Sequence, residues 1–204
     1  MHLKMTGVLL LLPSPAEPEK HTRAIFYLDD GNELHFRDQR KFGVLWLVKD
    51  EREVIGKLGP EPLTCDFTPE ALSNILIKHN IPIKALLCDQ NIIAGIGNMY
   101  ADEALFTARV DPEKKAKDLS KEEVKQLHQA VCQVLSAGID HGGASVNTYQ
   151  HPDGGQGTAQ QSFCVAHRYG ELCPYCGTRI ERMRIRGRGT YFCPRCQKSE
   201  SITF

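Results

Sequence analysis

The sequence lacks an excess of charge of either sign and lacks a membrane-length apolar run. Its 204 residues carry 25 basic and 25 acidic side chains, which excludes a uniformly basic nucleic-acid-binding surface. The apolar run from Val8 to Leu12 is too short to cross a bilayer and has no signal-peptide flanks. Internal repeats and low-complexity tracts are also missing. Because 41% of the residues are hydrophobic, these absences indicate a soluble, cytosolic globular protein of one or two domains, with no membrane partner.

The charges are unevenly distributed along the chain, although they sum to zero. Between Arg168 and Glu200 there are eight Arg or Lys residues against three Asp or Glu residues. The first seventy residues carry twelve acidic and nine basic side chains. Phosphate binding depends on a local basic face, because charges beyond a Debye length are screened. The distribution therefore permits nucleic-acid binding by the C-terminal part of the chain.

Four cysteines form a metal-binding pattern near the C-terminus. The spacing C-x2-C-x16-C-x2-C comprises Cys173, Cys176, Cys193 and Cys196. Each C-x2-C pair directs two thiolates at one point, and four thiolates complete a tetrahedral shell around zinc. A closed shell leaves no position for substrate, so the spacing predicts one structural Zn²⁺; free thiols at coincidental spacing are the alternative.

The other four cysteines stand singly among apolar neighbours and are predicted to be small buried side chains. They are Cys65, Cys88, Cys132 and Cys164.

The order of predicted elements indicates an α+β fold. Three strands, "AIFYL", "ELHFRD" and "VLWLVK", form an antiparallel meander within residues 24–49. A proline-rich linker follows, and Thr68 then caps a helix that extends to about His79. Two further helices are predicted over "IKALLCDQ" and "MYADEALFTARV", and Ser120 with Glu123 forms a capping box for a fourth. Residues from 143 to 172 are predicted to be a Gly-, Gln- and Ser-rich loop.

An arginine-rich hairpin is predicted between the two cysteine pairs. Its basic residues are Arg179, Arg182, Arg184, Arg186 and Arg188. Guanidinium groups bind phosphate oxygens in a bidentate geometry, so the hairpin is interpreted as a clamp on a DNA or RNA backbone. A solvated surface hairpin is the alternative interpretation.

The segment "GIGNMYADE" places two glycines before a helix that Asn98 is predicted to cap. Free amides at a helix start bind anions, and together with Lys84 on the preceding helix they would form a phosphate grip. A purely structural glycine cap is the alternative. In "DQRKFG", Arg40 and Phe42 lie on a predicted turn, where an exposed ring beside a guanidinium can wedge into a base stack. Phe42 as an ordinary core residue is the alternative there.

These motifs resemble those of the formamidopyrimidine-DNA glycosylases of the Fpg/Nei superfamily. "GIGNMYADEALF" is similar to the helix-two-turn-helix signature of that family, and "RGTYFCPRCQ" is similar to its C-terminal zinc finger. "HLKMTG", "DQRKFG" and "LGPEPL" are similar to motifs associated with its N-terminal domain. The resemblance implies four segments: a partial antiparallel β-sandwich (1–57), a linker (58–67), a helix-two-turn-helix DNA-binding domain (68–165) and a zinc-finger β-hairpin (166–204).

The resemblance also implies an activity and a partner. Members of the family are base-excision repair enzymes of bacteria, which places this chain in the cytoplasm, at the nucleoid, as a monomer. They flip an oxidised purine, such as 8-oxoguanine or a formamidopyrimidine, out of damaged double-stranded DNA. They cleave its glycosidic bond through a Schiff base and then nick the strand as an apurinic/apyrimidinic-site lyase.

Individual roles follow from matching positions in the family. Met5, Arg40 and Phe42 would fill or probe the gap left by the flipped base. Contacts to the DNA phosphates would come from His21, Lys78, Lys84, Asn98 and Arg188. Arg188 would in addition donate a proton in the final elimination.

One departure from the family pattern concerns the catalytic residues. Family members begin with Pro-Glu, in which the proline amine attacks the sugar carbon and the glutamate transfers protons. This chain begins Met-His, and we therefore expect it to be inactive by itself or to be a fragment of a longer enzyme. A non-catalytic, zinc-containing module that binds damaged DNA is the alternative hypothesis.

Overall fold

The computed structural model describes residues 1–146 and 149–198, which fall into two compact units. The first, here called the sheet unit, comprises residues 1–54 and 138–162. The second, here called the helical unit, comprises residues 55–137 together with the described residues from 163 to 198. The predicted zinc-finger segment also includes residues 199–204, which lie outside the described residues.

The sheet unit is built on three antiparallel strands in the order β1-β3-β2. The strands are β1 (Gly7–Pro13), β2 (Thr22–Tyr27) and β3 (Asn32–Asp38). The turn before β3 closes where Asn32 N–H donates to Asp30 Oδ1 at 3.0 Å. Val8, Leu10 and Phe36 are the buried apolar residues of this sheet.

The predicted third strand, "VLWLVK", is absent from the described structure. Only Val44 pairs, in an isolated bridge to His2, and residues 45–49 are exposed without regular structure. In the predicted meander this segment would pair with the free side of β3. In the structure β3 already pairs with β1 on one side and with β2 on the other. The apolar run at Val8 forms β1, which lies outside the three-strand meander predicted within residues 24–49.

The segment 138–162 packs with the sheet unit, whereas the sequence placed it with the helical domain. Leu11 N–H donates to Pro152 O at 2.7 Å, which ties the segment to the edge of β1. The segment is closed on itself by a bridge between Ala144 and Thr158. It ends in a 3₁₀ turn at Ala159–Ser162.

The four predicted helices are present and end earlier than predicted, and one further short helix, at Arg52–Ile55, was not predicted. A short helix, α1 (Arg52–Ile55), precedes α2 (Pro69–Leu76), α3 (Ile83–Leu87), α4 (Asn98–Thr107) and α5 (Lys121–Asp140), and a 3₁₀ turn lies at Ala116–Asp118. Thr68 Oγ1 accepts from Ala71 N–H at 3.1 Å, which confirms the predicted cap of α2. Ser120 and Glu123 exchange hydrogen bonds as a capping box.

One continuous apolar core lies within the helical unit. Its side chains include Leu72, Ile83, Leu86, Leu105 and Leu127, all fully buried. Of the four isolated cysteines, Cys88 is buried as predicted, Cys132 and Cys164 are partly buried, and Cys65 is exposed. The prediction for Cys65 is wrong because the residue lies in the turn before α2 and not on a packed helix face.

The C-terminal hairpin consists of β4 (Glu181–Ile185) and β5 (Arg188–Phe192). Its two-residue turn has positive φ at both Arg186 (46°) and Gly187 (79°), which is the type I′ geometry that matches strand twist. Among the described residues, no helix is both long and apolar enough to cross a membrane.

Candidate nucleic-acid interface and zinc site

Three predicted site residues meet at one end of the sheet unit. Arg40 Nη1 lies 3.3 Å from Met5 Sδ, and the Arg40 guanidinium carbon lies 4.7 Å from the centroid of the Phe42 ring. Met5 is 67% exposed and Phe42 is 50% exposed, so Phe42 is not a core residue. The three side chains form an exposed cluster, here called the wedge cluster. A guanidinium between two apolar groups has the composition of side chains that enter an unstacked base step.

Asp38 lies beneath the wedge cluster and is 1% exposed. Its carboxylate accepts hydrogen bonds from Thr6 Oγ1, from Arg40 N–H at 3.2 Å and from Gly43 N–H at 2.7 Å. Hydrogen bonds from the Thr6 hydroxyl and from the backbone amide of Gly43 lower the pKa of Asp38. The carboxylate is therefore held ionised at the base of the loop that carries the cluster.

His21 lines a polar pocket of the sheet unit, next to Lys20 and Arg37. Gln150 and Gln156, from the segment 138–162, complete the same pocket. The lining also includes Asp38, and Arg37 is ion-paired with Glu19. Lys20 and the half-buried imidazole of His21 are therefore the groups of this pocket that could meet an anion.

Lys84 is the predicted site residue whose position differs most from the prediction. It is fully buried, and its ammonium group donates to Asn98 O at 2.6 Å and to the buried carboxylate of Asp102. Burial raises the pKa of Asp102 to about 6, although the Lys84 ammonium opposes that shift. In this arrangement Lys84 holds the start of α4 and has no surface left to meet a phosphate directly.

Asn98 is the first residue of α4, and Gly97 occupies the cap position that the sequence assigned to Asn98. Gly97 has an extended backbone and no side chain, so the cap makes no side-chain hydrogen bond. The Asn98 side chain instead donates to Gly189 O on β5 at 2.8 Å, while its Oδ1 is buried without a hydrogen-bond partner. Asn98 thus joins α4 to the arginine hairpin.

Arg188 is exposed next to Gly189 and faces an open pocket of the helical unit. Arg186 and residues at the end of α3, including Cys88 and Asn91, line the same pocket. The hydrogen bond from Asn98 therefore brings two predicted phosphate contacts, Asn98 and Arg188, to one place. Lys78 is exposed just after α2, on an element outside this network.

The four predicted cysteine ligands converge within the helical unit. Their Sγ atoms all lie within 4.8 Å of one another, with Cys173 and Cys196 at 3.8 Å and Cys176 and Cys193 at 3.4 Å. A tetrahedral zinc with bonds of about 2.3 Å requires sulfur–sulfur distances of about 3.8 Å. The donor set and its spacing fit one Zn²⁺ in a closed, structural site.

Two buried side chains connect the zinc-binding region to α4 and to the segment directly after it. Glu103 accepts three backbone N–H groups at 2.8 Å each, from residues 164, 165 and 166 on the approach to the first cysteine pair. Gln197 donates to Val110 O at 3.0 Å and accepts from Cys193 N–H at 2.8 Å. These bonds fix the position of β5, and therefore of Arg188, relative to α4.

Sequence reasoning did not find Asp38, Asp102 or Glu103 as parts of the site. Asp38 is the first residue of the quoted "DQRKFG" motif, and Asp102 lies one helical turn after Asn98. Both positions were therefore visible as acidic residues beside predicted contacts. Their partners, however, are distant in sequence, and spacing alone does not identify such pairs.

Comparison with known proteins places these features in one family. The family description "Formamidopyrimidine-DNA glycosylase N-terminal domain" matches residues 1–45, its H2TH domain matches residues 58–150, and "Zinc finger found in FPG and IleRS" matches residues 170–198. A formamidopyrimidine-DNA glycosylase of Desulfitobacterium hafniense is 46% identical over 200 residues, which cover 96% of this chain and 73% of that protein.

Solved structures give the same result. The Lactococcus lactis Fpg in complex with DNA containing an abasic site superposes with a TM-score of 0.89 at 33% identity, covering 97% of this chain and 74% of that one. A MutM structure in complex with carbocyclic 8-oxo-G containing DNA has a TM-score of 0.87 at 34% identity and covers 97% and 73%. The three domain matches and the level of identity show that the chain belongs to the formamidopyrimidine-DNA glycosylase family.

Proposed function

We propose that the chain recognises oxidised purines, 8-oxoguanine and formamidopyrimidines, in duplex DNA as part of a bifunctional glycosylase and apurinic/apyrimidinic-site lyase. The main support is the hydrogen bond from Asn98 to Gly189, which joins residues 91 positions apart and brings Asn98 beside Arg188. Asn98 and Arg188 both carry N–H groups that suit phosphate oxygens, and they would contact neighbouring phosphates. The DNA complexes of the solved relatives support the same partner.

The two units would take different parts in recognition. Asn98 and Arg188 would hold phosphates near the lesion, with His21 and Lys78 as further contacts and Lys84 acting through Asn98. The wedge cluster of Met5, Arg40 and Phe42 would occupy the space of the flipped nucleotide, since its side chains are already exposed and in contact. Arg188 would also donate the proton of the last elimination, and the protein would act as a monomer on the nucleoid DNA of the bacterial cytoplasm.

Cleavage of the glycosidic bond needs an amine and a proton carrier. In the family these are an N-terminal proline and glutamate, and residues 1 and 2 of this chain are Met and His. We therefore assign lesion recognition to these 204 residues and keep a non-catalytic damaged-DNA-binding module as the second candidate. The exposed wedge cluster serves either candidate, because gap filling requires no covalent step.

Fluorescence anisotropy with a labelled duplex that carries a stable abasic-site analogue tests the binding proposal. Arg188→Ala should weaken binding to damaged and intact duplex alike and should reduce the slope of log K against log salt by about 1. Asn98→Ala should weaken both without changing the slope, because the side chain is neutral. Lys125→Ala, which removes an exposed charge on α5, is the control. Unchanged binding in Arg188→Ala and Asn98→Ala would reject the proposed phosphate contacts.

Borohydride trapping separates the two candidates. The duplex for this test carries a natural abasic site, whose C1′ aldehyde can condense with an amine, with loss of water. A chain that only binds should shift that duplex in a native gel and yield no covalent complex after reduction. A trapped complex would show that an amine of these residues, such as Lys4 or the α-amino group of Met1, forms a Schiff base and that the chain is itself a lyase.

A further inference from the structure

The wedge cluster is assembled from two chain segments whose backbones pair on either side of it, at His2 with Val44 and at Gly7 with Asp38. Met5 lies in the segment before β1, and Arg40 and Phe42 lie in the loop after β3. Exposed Met and Arg side chains usually sample several rotamers on the picosecond to nanosecond timescale. Contact among three exposed side chains therefore requires that their backbones be held in register.

Between those backbone pairings, a buried carboxylate joins the two segments directly beneath the side chains of the cluster. Asp38 accepts from the Thr6 hydroxyl, next to Met5, and from the amides of Arg40 and Gly43, on either side of Phe42. Thr6 Oγ1 also accepts from Arg40 N–H at 3.2 Å. Both segments of the wedge cluster are thus bonded to the same two side chains. Charge-assisted hydrogen bonds of this kind are about twice as strong as neutral ones.

The backbone around the cluster is held in an unfavourable conformation. Lys4 has φ of 56° and Lys41 has φ of 60°, in the left-handed region that non-glycine residues rarely adopt. A β-carbon at Gly43 would lie 2.4 Å from the Phe36 ring, so the loop is pressed against β3. Such conformations persist only where the surroundings over-determine them, and they occur often at functional sites.

We propose that Asp38 is a positioning residue that holds Met5, Arg40 and Phe42 together as one preformed wedge for the gap left by a flipped base. The inference rests on the gap-filling role in the proposed function. Asp38 itself does not reach the DNA, because it is buried beneath the cluster. Its effect is to remove the cost of ordering the three side chains when DNA binds.

The first experiment compares two buried carboxylates of the same strand. Asp38→Asn keeps the shape but replaces one acceptor oxygen with an amide that cannot accept from Gly43. Glu33→Gln is the matched control, since Glu33 is also buried on β3 and binds Ser14 and His35, away from the wedge cluster. Both variants are expected to lose stability, and only Asp38→Asn should change lesion recognition.

The readout is the ratio of affinities for abasic and intact duplex at one salt concentration. Asp38→Asn should lower this ratio by about tenfold or more, the size of one lost charge-assisted hydrogen bond, and Glu33→Gln by less than about twofold. Thr6→Val should reproduce the loss and Thr6→Ser should restore the ratio, which keeps the test informative if Asp38→Asn fails to fold. A ratio that Asp38→Asn leaves unchanged while Met5→Ala lowers it would overturn the proposal.

A second readout does not depend on DNA. Fluorine NMR of 4-fluorophenylalanine at Phe42, assigned with Phe42→Leu, should give a signal displaced from the random-coil chemical shift in wild type and in Glu33→Gln. Asp38→Asn should move that signal towards the random-coil position. If the signal moves as expected but Met5→Ala and Phe42→Ala leave the affinity ratio unchanged, positioning by Asp38 stands and the gap-filling role fails. If the signal does not move, positioning by Asp38 is wrong.

Discussion

The helical unit and the sheet unit keep their recognition residues in place by different means. All of the largest fully buried side chains, from Leu72 to Ile180, lie in the helical unit. The sheet unit buries Val8, Leu10 and Phe36, while residues 45–48 expose four apolar side chains, with Leu47 fully exposed. The helical unit can therefore hold its polar site against a deep core. The sheet unit relies more on buried carboxylates that bond to its loops.

Asp102 of the helical unit and Asp38 of the sheet unit also differ in their partners, whereas Glu103 of the helical unit resembles Asp38 in accepting from neutral backbone amides. In the helical unit Asp102 faces the Lys84 ammonium, so two charges share a dry environment. In the sheet unit Asp38 is surrounded by neutral donors, namely the Thr6 hydroxyl and backbone amides. Removal of one charge of the Lys84–Asp102 pair leaves the other charge buried and unpaired, which is strongly destabilising. Removal of one donor to Asp38 costs only the free energy of a single hydrogen bond.

Removal of zinc should have the largest effect, and it should destabilise the helical unit while leaving the sheet unit folded. Structural zinc contributes on the order of 10 kcal/mol to the folding of small zinc-binding peptides. Chelation should abolish amide protection in β4 and β5 and should abolish DNA binding with it. Trp46, the one tryptophan of the chain, lies in the sheet unit and should keep its emission spectrum. Hydrogen exchange and Trp46 fluorescence before and after chelation measure the two effects. Equal loss of protection in β1, β2 and β3 would contradict the separation.

Substitution of Lys84 should have the next largest effect. Lys84→Met leaves the Asp102 carboxylate buried without its counter-charge, which costs about 3–5 kcal/mol in comparable proteins. Urea unfolding followed by helical circular dichroism measures the change in the free energy of unfolding. Lys78→Met is the control on an exposed lysine, with an expected change below about 0.5 kcal/mol. Adding Asp102→Leu to Lys84→Met should recover part of the loss, and further destabilisation would show that the pair is not the cause.

One substitution made in both units compares their cores directly. Leu72→Ala should cost about 2–5 kcal/mol, because Leu72 is fully buried and its removal leaves a cavity. Leu47→Ala should change stability by less than about 0.5 kcal/mol, because Leu47 is fully exposed. Urea unfolding followed by helical circular dichroism for the first and by Trp46 fluorescence for the second gives both values. A large loss in Leu47→Ala would mean that residues 45–48 are covered in solution.

Local sequence rules predicted the parts of the structure that depend on neighbouring residues. The cap at Thr68, the capping box at Ser120 and the cysteine spacing each involve residues close in sequence, and each is confirmed. The turn at Arg186 and Gly187 is likewise set by two adjacent residues. Such rules succeed because the interacting groups are connected by a few bonds and little loop entropy is involved.

The remaining features depend on partners that spacing does not reveal. Lys84 suggests a surface contact when taken alone, and its burial follows from Asp102, which lies on another helix. "VLWLVK" has the composition of a strand, yet β3, the strand with which it was predicted to pair, already pairs with β1 and β2. Asn98 has the identity of a cap, but its side chain binds Gly189 and leaves the cap to Gly97. In each case a tertiary contact overrides the local preference.

Acidic pH should affect the two units with opposite sign, and this is the smallest expected effect. Burial raises the pKa of Asp102 to about 6, above the unfolded value of about 3.9. As pH rises, the Asp102 carboxyl therefore loses its proton in the unfolded chain before it does so in the folded chain. The contribution of Asp102 to the free energy of unfolding falls as pH rises from about 4 to about 6. The pKa of Asp38 is lowered by its hydrogen bonds, so its contribution is present above the unfolded pKa and is lost as pH falls through the folded one.

Each variant is compared with wild type at the same pH and the same excess of zinc, so that metal release cancels from the difference. Asp102→Asn should remove the decline between pH 4 and 6 from the unfolding that helical circular dichroism reports. Asp38→Asn should lower the stability reported by Trp46 at pH 7, by about 1.5 kcal/mol for one hydrogen bond to a charged group. The difference from wild type should begin to shrink below about pH 4, where the unfolded carboxyl takes up a proton first, and should vanish as pH falls through the lowered folded pKa. If the two variants differ from wild type with the same sign of pH dependence, Asp38 is not held ionised by its donors. The contrast between a buried charge pair and a hydrogen-bonded carboxylate would then be wrong.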